Sequence, residues 1–379
     1  MKPGISSFLN LSRGWAAALV LVSHVRHLIL IDLQGVEHRT LVHDALYFVT
    51  GFGHESVVIF FVISGYLVGG LTLQRWQSYG MDLSHYFAAR IGRIYTVLVP
   101  ALVVGFALDY IGLHWINDSE LYTNSTQYHT ISLNFSIQSA LDWPTFAGNL
   151  LMLQQIVTGC FGSNGPLWSL AYEWWYYCAF ALVGVALTRS GGWRVLAVLG
   201  VLVMAVLLPA KLVLWGTLWA LGIVAFYWVQ SERWKPRPAL GLVLFVAAMI
   251  CSRLSHNADN VENPEALLVS FGRDAIVAMA YCFAIASVSI LKRALPMDGF
   301  HEWLADFSYT TYLCHFPALV FLVATVFQFL GGRLQLQPSA QSISYLFLCI
   351  ALLYVYAYSL YLLAERRTPL IREQLRRIL

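Results

Sequence analysis

Long apolar runs separated by short polar breaks fill this chain. Ten of them reach or approach the roughly 20 residues that a helix needs to cross a bilayer. They lie at 12–33, 48–73, 90–112, 166–188, 194–210, 212–230, 238–254, 268–291, 304–330 and 342–364. The fifth to seventh are short but strongly apolar, and Pro209 and Lys211 mark a tight hairpin between the fifth and sixth. Residues 146–158 (FAGNLLMLQQIVT) are too short to span and predict a re-entrant or interfacial helix. The expected fold class is an all-α integral membrane protein, a bundle of about ten transmembrane helices. Residues 1–379 read as a single transmembrane domain without internal repeat, heptad seam or appended soluble domain. Any chemistry then falls to the membrane bundle or to a separate partner.

Composition agrees. The chain is 59% hydrophobic and only 11% charged, where a soluble domain carries about a quarter charged residues. The net charge of +3 is small, and no basic run is interleaved with aromatics, so no nucleic-acid partner is expected. The six cysteines (Cys160, Cys178, Cys251, Cys282, Cys314, Cys349) show no CxxC and no metal-ligand spacing, and read as small hydrophobic residues. His24 and Arg26 interrupt the first apolar stretch, which reads as a retained helix rather than a signal peptide.

Basic residues set the expected orientation. With the N-terminus in the cytoplasm, seventeen of the 23 Lys and Arg fall on the cytoplasmic side, all but Arg26, Arg39, Lys211, Arg253, Arg273 and Arg333. An even number of spans returns the C-terminus to the cytoplasm, giving a multi-pass protein of the cytoplasmic (inner) membrane. The outside segment 113–146 has no Lys or Arg; Asn117, Asn124 and Asn134 begin N-x-S/T triplets there, which matter only in a glycosylating compartment. The basic amphipathic tail REQLRRIL suits the anionic inner leaflet.

Five constellations carry candidate chemistry. Arg13 and His24 share the first segment, eleven residues or about three helical turns apart, a rise of roughly 16 Å. A cation at the rim and a titratable nitrogen below it suit a long anionic ligand with a reactive far end; snorkelling or pairing with a neighbouring helix is the bland alternative. Arg90 and Arg93, at i and i+3, share a helix face and make a phosphate clamp or an ordinary positive-inside anchor. In GPLWSLAYEWWYY (165–177), Pro166 opens a helix and Glu173 enters an aromatic-rich span. Glu173 could orient an imidazole, act as acid or base, bind a sugar hydroxyl, or pair with Arg273 or Arg26. In FSYTTYLCHFP (307–317), His315 precedes Pro317 at a depth similar to that of His24, which favours a shared polar cavity. In GFGHESVVIFFVISGYLVGG (51–70), small residues permit close helix packing, and His54 and Glu55 either line an acceptor entrance or cap the helix. Trp168 and its aromatic neighbours could stack on sugar rings. No Walker loop, HExxH or G-x-S-x-G is present, and no metal is expected.

These five pieces, in this order, resemble the acyltransferase family 3 membrane proteins across nearly the whole chain. That family shows an Arg/Lys followed by ten residues and a His, an FFVLSGYL-type second span, an R-x-x-R pair, a GPLWSL-x-x-E helix and an SY-x-x-YL-x-H-x-P segment. Here these are Arg13 and His24, GHESVVIFFVISGYL, Arg90 and Arg93, Gly165 to Glu173, and Ser308 to Pro317. The chain departs from the family's D-x-LR-like run, which is Gly14, Trp15, Ala16 and Ala17 here, and at Asp306.

The resemblance implies O-acylation, usually O-acetylation, of a cell-envelope or exported polysaccharide, free or lipid-linked. The donor substrate would be cytoplasmic acetyl-CoA or another acyl-CoA. Arg13, Arg90 and Arg93 would hold its phosphates. His24 would act as general base or transient acyl carrier, with Glu173 and His315 polarising or orienting it. His54, Glu55, Trp168, Ser308 and Tyr309 would contact the acceptor. The implied partners are the lipid bilayer, the carbohydrate acceptor and polysaccharide-export or biosynthesis proteins. Two other classes fit the same composition: an acyl-group or lipid translocator supplying a separate transferase, and a scaffold in an export complex.

Overall fold

Apolar runs in this chain fold as helices because a backbone in hydrocarbon must satisfy its own N–H and C=O groups. The structure is a computed structural model describing residues 2–128, 133, 135–255, 263–331 and 334–378. Asn134 and Arg333 lie outside the described residues. The helices in chain order are α1 (Pro3–Ile29), α2 (Leu41–Val49), α3 (Gly53–Ser64), α4 (Leu71–Tyr79), α5 (Leu83–Trp115), α6 (Trp143–Leu150), α7 (Trp168–Thr188) and α8 (Gly192–Leu207). There follow α9 (Ala210–Gln230), α10 (Pro238–Leu254), α11 (Pro264–Val288), α12 (Asp298–Asp306), α13 (Ser308–Leu330), α14 (Ala340–Leu363) and α15 (Thr368–Ile378). Among the described residues the only β-pairings are two isolated bridges.

All ten predicted segments are helical, but among the described residues eight rather than ten helical stretches are long and apolar enough to cross a membrane. The two shorter ones are α8 and α10, of 16 and 17 residues. At 1.5 Å per residue they reach about 25 Å, short of the ~30 Å hydrocarbon core. The outward row Val195, Leu199, Leu202, Val203 and Val206 on α8 is exposed. In water that row would be an aggregation-prone patch; against lipid it is matched to its surroundings. The protein is an all-α, multi-pass membrane protein.

The short helix differs from its predicted extent of 146–158. Asp142 caps α6 by accepting from the Thr145 N–H (2.6 Å), and Pro144 stands in its first turn. The helix then stops at Leu150, because Met152 (φ 59°) and Gln155 (φ 64°) turn left-handed. The buried amide of Asn149 holds the returning loop, donating to Gly159 O (2.9 Å) and accepting from Phe161 N (3.1 Å). The remainder is thus a pinned turn, not a helix.

The chain divides into two compact units that interleave along the sequence. The first comprises Met1–Ala16, His54–Phe87 and Tyr172–Ala305. In it α3 passes through a π-helical turn at Gly65–Gly70 into α4, and α9 packs against that turn. A Cβ on Gly65 would lie 1.8 Å from Trp219 O, and one on Gly222 would lie 2.2 Å from Val62 O. The two backbones therefore touch, which only glycine allows. α10 and α9 both pack on α11.

The second unit comprises Ala17–Gly53, Ala88–Ala171 and Asp306–Leu379. Its core joins Leu21, Val25 and Leu28 of α1 to Phe316, Leu319 and Val320 of α13 and to Leu346 and Leu353 of α14. That packing fixes α1 against α13, the two helices that carry His24 and His315.

The glycine contact yields a stability test. Gly65→Ala should lower the thermal midpoint in detergent, by overpacking worth about 1–3 kcal/mol. Gly272→Ala on α11, where a Cβ meets nothing within 4 Å, should leave the midpoint unchanged or raise it. Size-exclusion profiles after graded heating measure both, and equal behaviour of the two variants would remove the packing argument.

Candidate functional site

The two intramembrane histidines meet directly. His24 Nδ1 and His315 Nε2 are 2.7 Å apart, with the rings within 8° of parallel. His315 is fully buried and His24 half-buried, with Phe316 edge-on to the His24 ring. On its other side, His315 Nδ1 lies 2.8 Å from Thr311 O and 2.9 Å from Tyr312 O. Carbonyls only accept, so Nδ1 of His315 carries the hydrogen, and in the neutral ring Nε2 holds a lone pair. His24 Nδ1 must then be the donor to it. The lone pair of His24 falls on Nε2, the basic nitrogen of the pair.

Pro317 shapes the support behind His315. Lacking an N–H, it leaves Leu313 O without its helical donor. Asn164 Nδ2 supplies the missing bond at 2.8 Å. Asn164 is held in turn by its loop: Ser163 donates its N–H (2.7 Å) and hydroxyl (2.8 Å) to the two oxygens of Asp109, a buried carboxylate within α5. Gly162 (φ +58°) makes the turn, and a Cβ there would lie 2.3 Å from Asp109 Oδ2. Ser169 Oγ lies 2.7 Å from Tyr312 OH, which donates to Pro166 O (3.3 Å). The loop ahead of α7 is therefore bound to the helix turn that carries His315.

The predicted cations have definite surroundings. Arg93 pairs with the buried carboxylate of Glu365 (2.9 Å) and lies over the Tyr309 ring (4.9 Å). Glu365 also accepts from the N–H (3.1 Å) and hydroxyl (2.6 Å) of Thr310, so it caps the start of α13, where orphan N–H groups favour an anion. Ser308 and Tyr309, expected with the acceptor, thus begin the helix at the arginine cluster. Arg90 is half-buried one turn before Arg93. Arg13, in the first unit, donates to Ala305 O (3.3 Å). Gly14 beside it leaves room for Leu304, whose Cγ would lie 2.9 Å from a Cβ at that position. The Ala305 carbonyl is a polar partner for Arg13 in place of the missing acidic run.

Glu173, also in the first unit, is partnered by Tyr177 (2.5 Å) rather than by either arginine suggested from sequence. Tyr177 OH lies 3.1 Å from Ser64 Oγ, which accepts from Trp219 Nε1 (3.0 Å). The chain of donors therefore runs from indole to serine to tyrosine to carboxylate. His54 Nε2 faces both oxygens of the buried Asp274 at 2.9 Å, and Trp215 Nε1 donates to the same carboxylate (2.9 Å). Glu55 is buried and accepts from Ser252 (2.9 Å). His54 and Glu55 sit in the first turn of α3, and Trp168, in the second unit, is half-buried at the start of α7. Burial pushes the Cys160 thiol, in the loop after α6, up to about 12, which makes it a poor nucleophile.

Sequence reasoning missed Asp109, Asn164, Asp274 and Glu365. Asp109 was visible as a lone acid inside the third apolar run. Pro317 implied an orphan carbonyl two residues before His315, but not which side chain would reach it. Glu365 looked like one more charge at a membrane rim.

Three comparisons with known proteins bear on the chain as a whole. A model of the acyltransferase domain family matches residues 6–362. An O-acetyl transferase of Shigella phage Sf6 is 26% identical over 335 residues, covering 85% of this chain and 87% of that protein. No solved structure matches.

The Asn164–Leu313 bond makes a non-additive pair of substitutions. Asn164→Ala should destabilise by about 1–3 kcal/mol, the cost of leaving a buried carbonyl unsatisfied. In a Pro317→Ala background the restored N–H can bond Leu313 O, and the same substitution should cost much less. A double-mutant cycle on thermal unfolding in detergent decides it; additive costs would break the link between Pro317 and Asn164.

Proposed function

This chain belongs to the acyltransferase family, and from that premise we propose that it is an O-acyltransferase moving an acetyl group from cytoplasmic acetyl-CoA to a hydroxyl of a cell-envelope or exported polysaccharide. The observation that carries the reading is the directed histidine pair, with His24 Nε2 as the basic nitrogen. The O-acetyl transferase relative from phage Sf6 supports the O-acetyl chemistry. The excess of basic residues on one set of loops supports a cytoplasmic-membrane protein with both termini in the cytoplasm.

In this mechanism the donor's phosphates bind Arg90 and Arg93 on α5, and the pantetheine arm carries the thioester to His24. The acceptor hydroxyl approaches His24 Nε2, which takes its proton as the oxygen attacks the thioester carbonyl. The tetrahedral adduct then collapses, the C–S bond breaks, and the imidazolium returns the proton to the departing thiolate. Products are the acetyl ester and free coenzyme A. His315 holds the His24 ring by accepting its Nδ1–H, and the carbonyls of Thr311 and Tyr312 stabilise the positive charge that develops on the pair. In the first unit, His54, Glu55 and the Glu173–Tyr177 chain offer partners of the kind that carbohydrate hydroxyls suit.

Transfer of radiolabelled acetyl from acetyl-CoA to the glycan fraction of membranes tests this. His24→Ala should lower transfer by about 10²–10⁴-fold, the usual worth of a general base. His315→Ala should cost less, since it removes only the orientation. Arg90→Ala with Arg93→Ala should be rescued by high donor concentration. Transfer by His24→Ala at the wild-type rate would refute the mechanism. Absence of transfer by wild-type membranes would refute the acetyl-CoA donor.

A further inference from the structure

The turn between α7 and α8 carries positive charge that the proposed reaction leaves unused. From Glu173 to Glu232 the sequence has no Asp or Glu between them, but Arg189 and Arg194 flank this turn. Both are exposed, and among the described residues neither pairs with a carboxylate. Arg194 is fixed in place. Its Nε donates to Ala186 O (3.1 Å) and Arg189 O (3.0 Å), carbonyls at the end of α7 that lack helical donors. The outer N–H groups of that guanidinium remain for an anion. Trp193 beside it is exposed as well, and an aromatic next to a cation is the usual dress of a membrane surface.

An apolar groove begins at the same place. α7, α8 and the first turns of α5 border a cavity of about 390 Å³ within the first unit. Leu83 and Phe87 line it from α5, Leu182 and Val185 from α7, and Gly200 and Met204 from α8; all six are half-buried. Thr188 Oγ donates to Met81 Sδ (3.3 Å), so the start of α5 meets the end of α7 at the level of the two arginines. Val185 precedes Ala186, whose carbonyl holds Arg194, and this puts the guanidinium at the mouth of the groove. Met204 lies about 15 Å along α8 from Arg194, at 1.5 Å per residue. That is half of the ~30 Å hydrocarbon core, so the groove is as deep as one leaflet. Gly200 keeps it open. A Cβ there would already stand 3.1 Å from Leu182 Cδ1, and a longer side chain would enter the space.

We propose that this groove binds one anionic phospholipid, with an acyl chain laid between α7 and α8 and the phosphate on Arg194 and Arg189. The unpaired charge at the mouth selects a charged headgroup over a neutral one. The apolar depth selects a lipid over a soluble anion. Bound there, the lipid fills space that protein atoms leave between α8 and its neighbours, so its binding stabilises the first unit.

Native mass spectrometry tests this on the full chain, released from nanodiscs that hold equal phosphatidylglycerol and phosphatidylcholine with the same acyl chains. The wild type should retain one phosphatidylglycerol and prefer it over phosphatidylcholine by about ten- to thirtyfold, the effect of two basic residues near an anionic surface. Arg189→Ala with Arg194→Gln, which keeps a donor for the α7 carbonyls, should abolish the preference. Gly200→Phe and, separately, Met204→Trp should lose the retained lipid whatever its headgroup. Val203→Phe, on the exposed side of α8, should behave as wild type. Added phosphatidylglycerol should raise the thermal midpoint of the wild type in detergent but not that of the groove-filling variants, whose midpoints without lipid report folding. Equal retention of the two lipids by the wild type, or wild-type retention in both groove-filling variants, overturns the proposal. Thermal protection by glycerophosphoglycerol, the headgroup without chains, equal to that by the whole lipid assigns the arginines to a soluble anion and overturns it as well.

Discussion

One hydrogen bond, from His24 Nδ1 to His315 Nε2, gives this membrane protein its chemical polarity. Its direction is imposed from behind, by helix carbonyls that can only accept from His315 Nδ1. Once those acceptors are in place, the remaining lone pair of the dyad is on His24 Nε2. Most of the surrounding polar structure holds the two rings in that relation. The apolar core between α1 and α13 sets the helix separation. Asn164 repairs the backbone gap that Pro317 opens beside His315. Asp109 and Ser163 hold the loop that delivers Asn164. Buried polar groups in a low-dielectric interior are costly when unpaired, so such a relay is either satisfied throughout or destabilising.

The same rule governs the buried acids. Asp109, Asp274 and Glu365 each have at most a few per cent exposure, and each collects at least two donors. Two of them bond at a backbone position: Asp109 at Ser163 N, which fixes a loop, and Glu365 at Thr310 N, which fixes the first turn of α13. Glu365 differs from the other two in adding an ion pair to Arg93, which ties the start of α13 to α5 within the second unit. A carboxylate at this point pairs with the Arg93 guanidinium and caps α13 at once.

Periodicity and hydropathy were enough to place the helices. All ten apolar runs are helical, and Pro209, Pro166 and Gly331 fall at helix boundaries where their backbone preferences put them. Length was the weaker inference: α8 and α10 are apolar yet too short to count with the other eight. The helix expected over 146–158 failed because neither Met152 nor Gln155 carries a sequence mark of a left-handed turn. Among site residues, His24 and His315 were legible because each is a titratable residue inside an apolar span, and shared depth suggested a shared cavity. The partners of Glu173 were not legible, since Tyr177 and Ser64 are ordinary residues until the fold lines them up. Asp274 and Glu365 escaped for the same reason: a charge near the end of an apolar run looks like any other until its neighbours are known.

A histidine, rather than a carboxylate, stands behind His24, and the membrane gives a reason. A carboxylate beside an imidazole orients it well, but it brings a full charge into hydrocarbon that must be compensated before any substrate arrives. A neutral imidazole with its own N–H satisfied by two carbonyls orients its neighbour without net charge. Under the proposed mechanism, a proton taken up by His24 meets carbonyl dipoles already aimed at the pair, so little reorganisation is required. The carboxylate version does occur in this chain, at His54 and Asp274, but there the acid is also held by the indole N–H of Trp215. In the first unit an acid is stabilised by extra donors; in the second the need for an acid is removed. Both arrangements answer the same constraint, that no polar atom inside the bundle can rely on water.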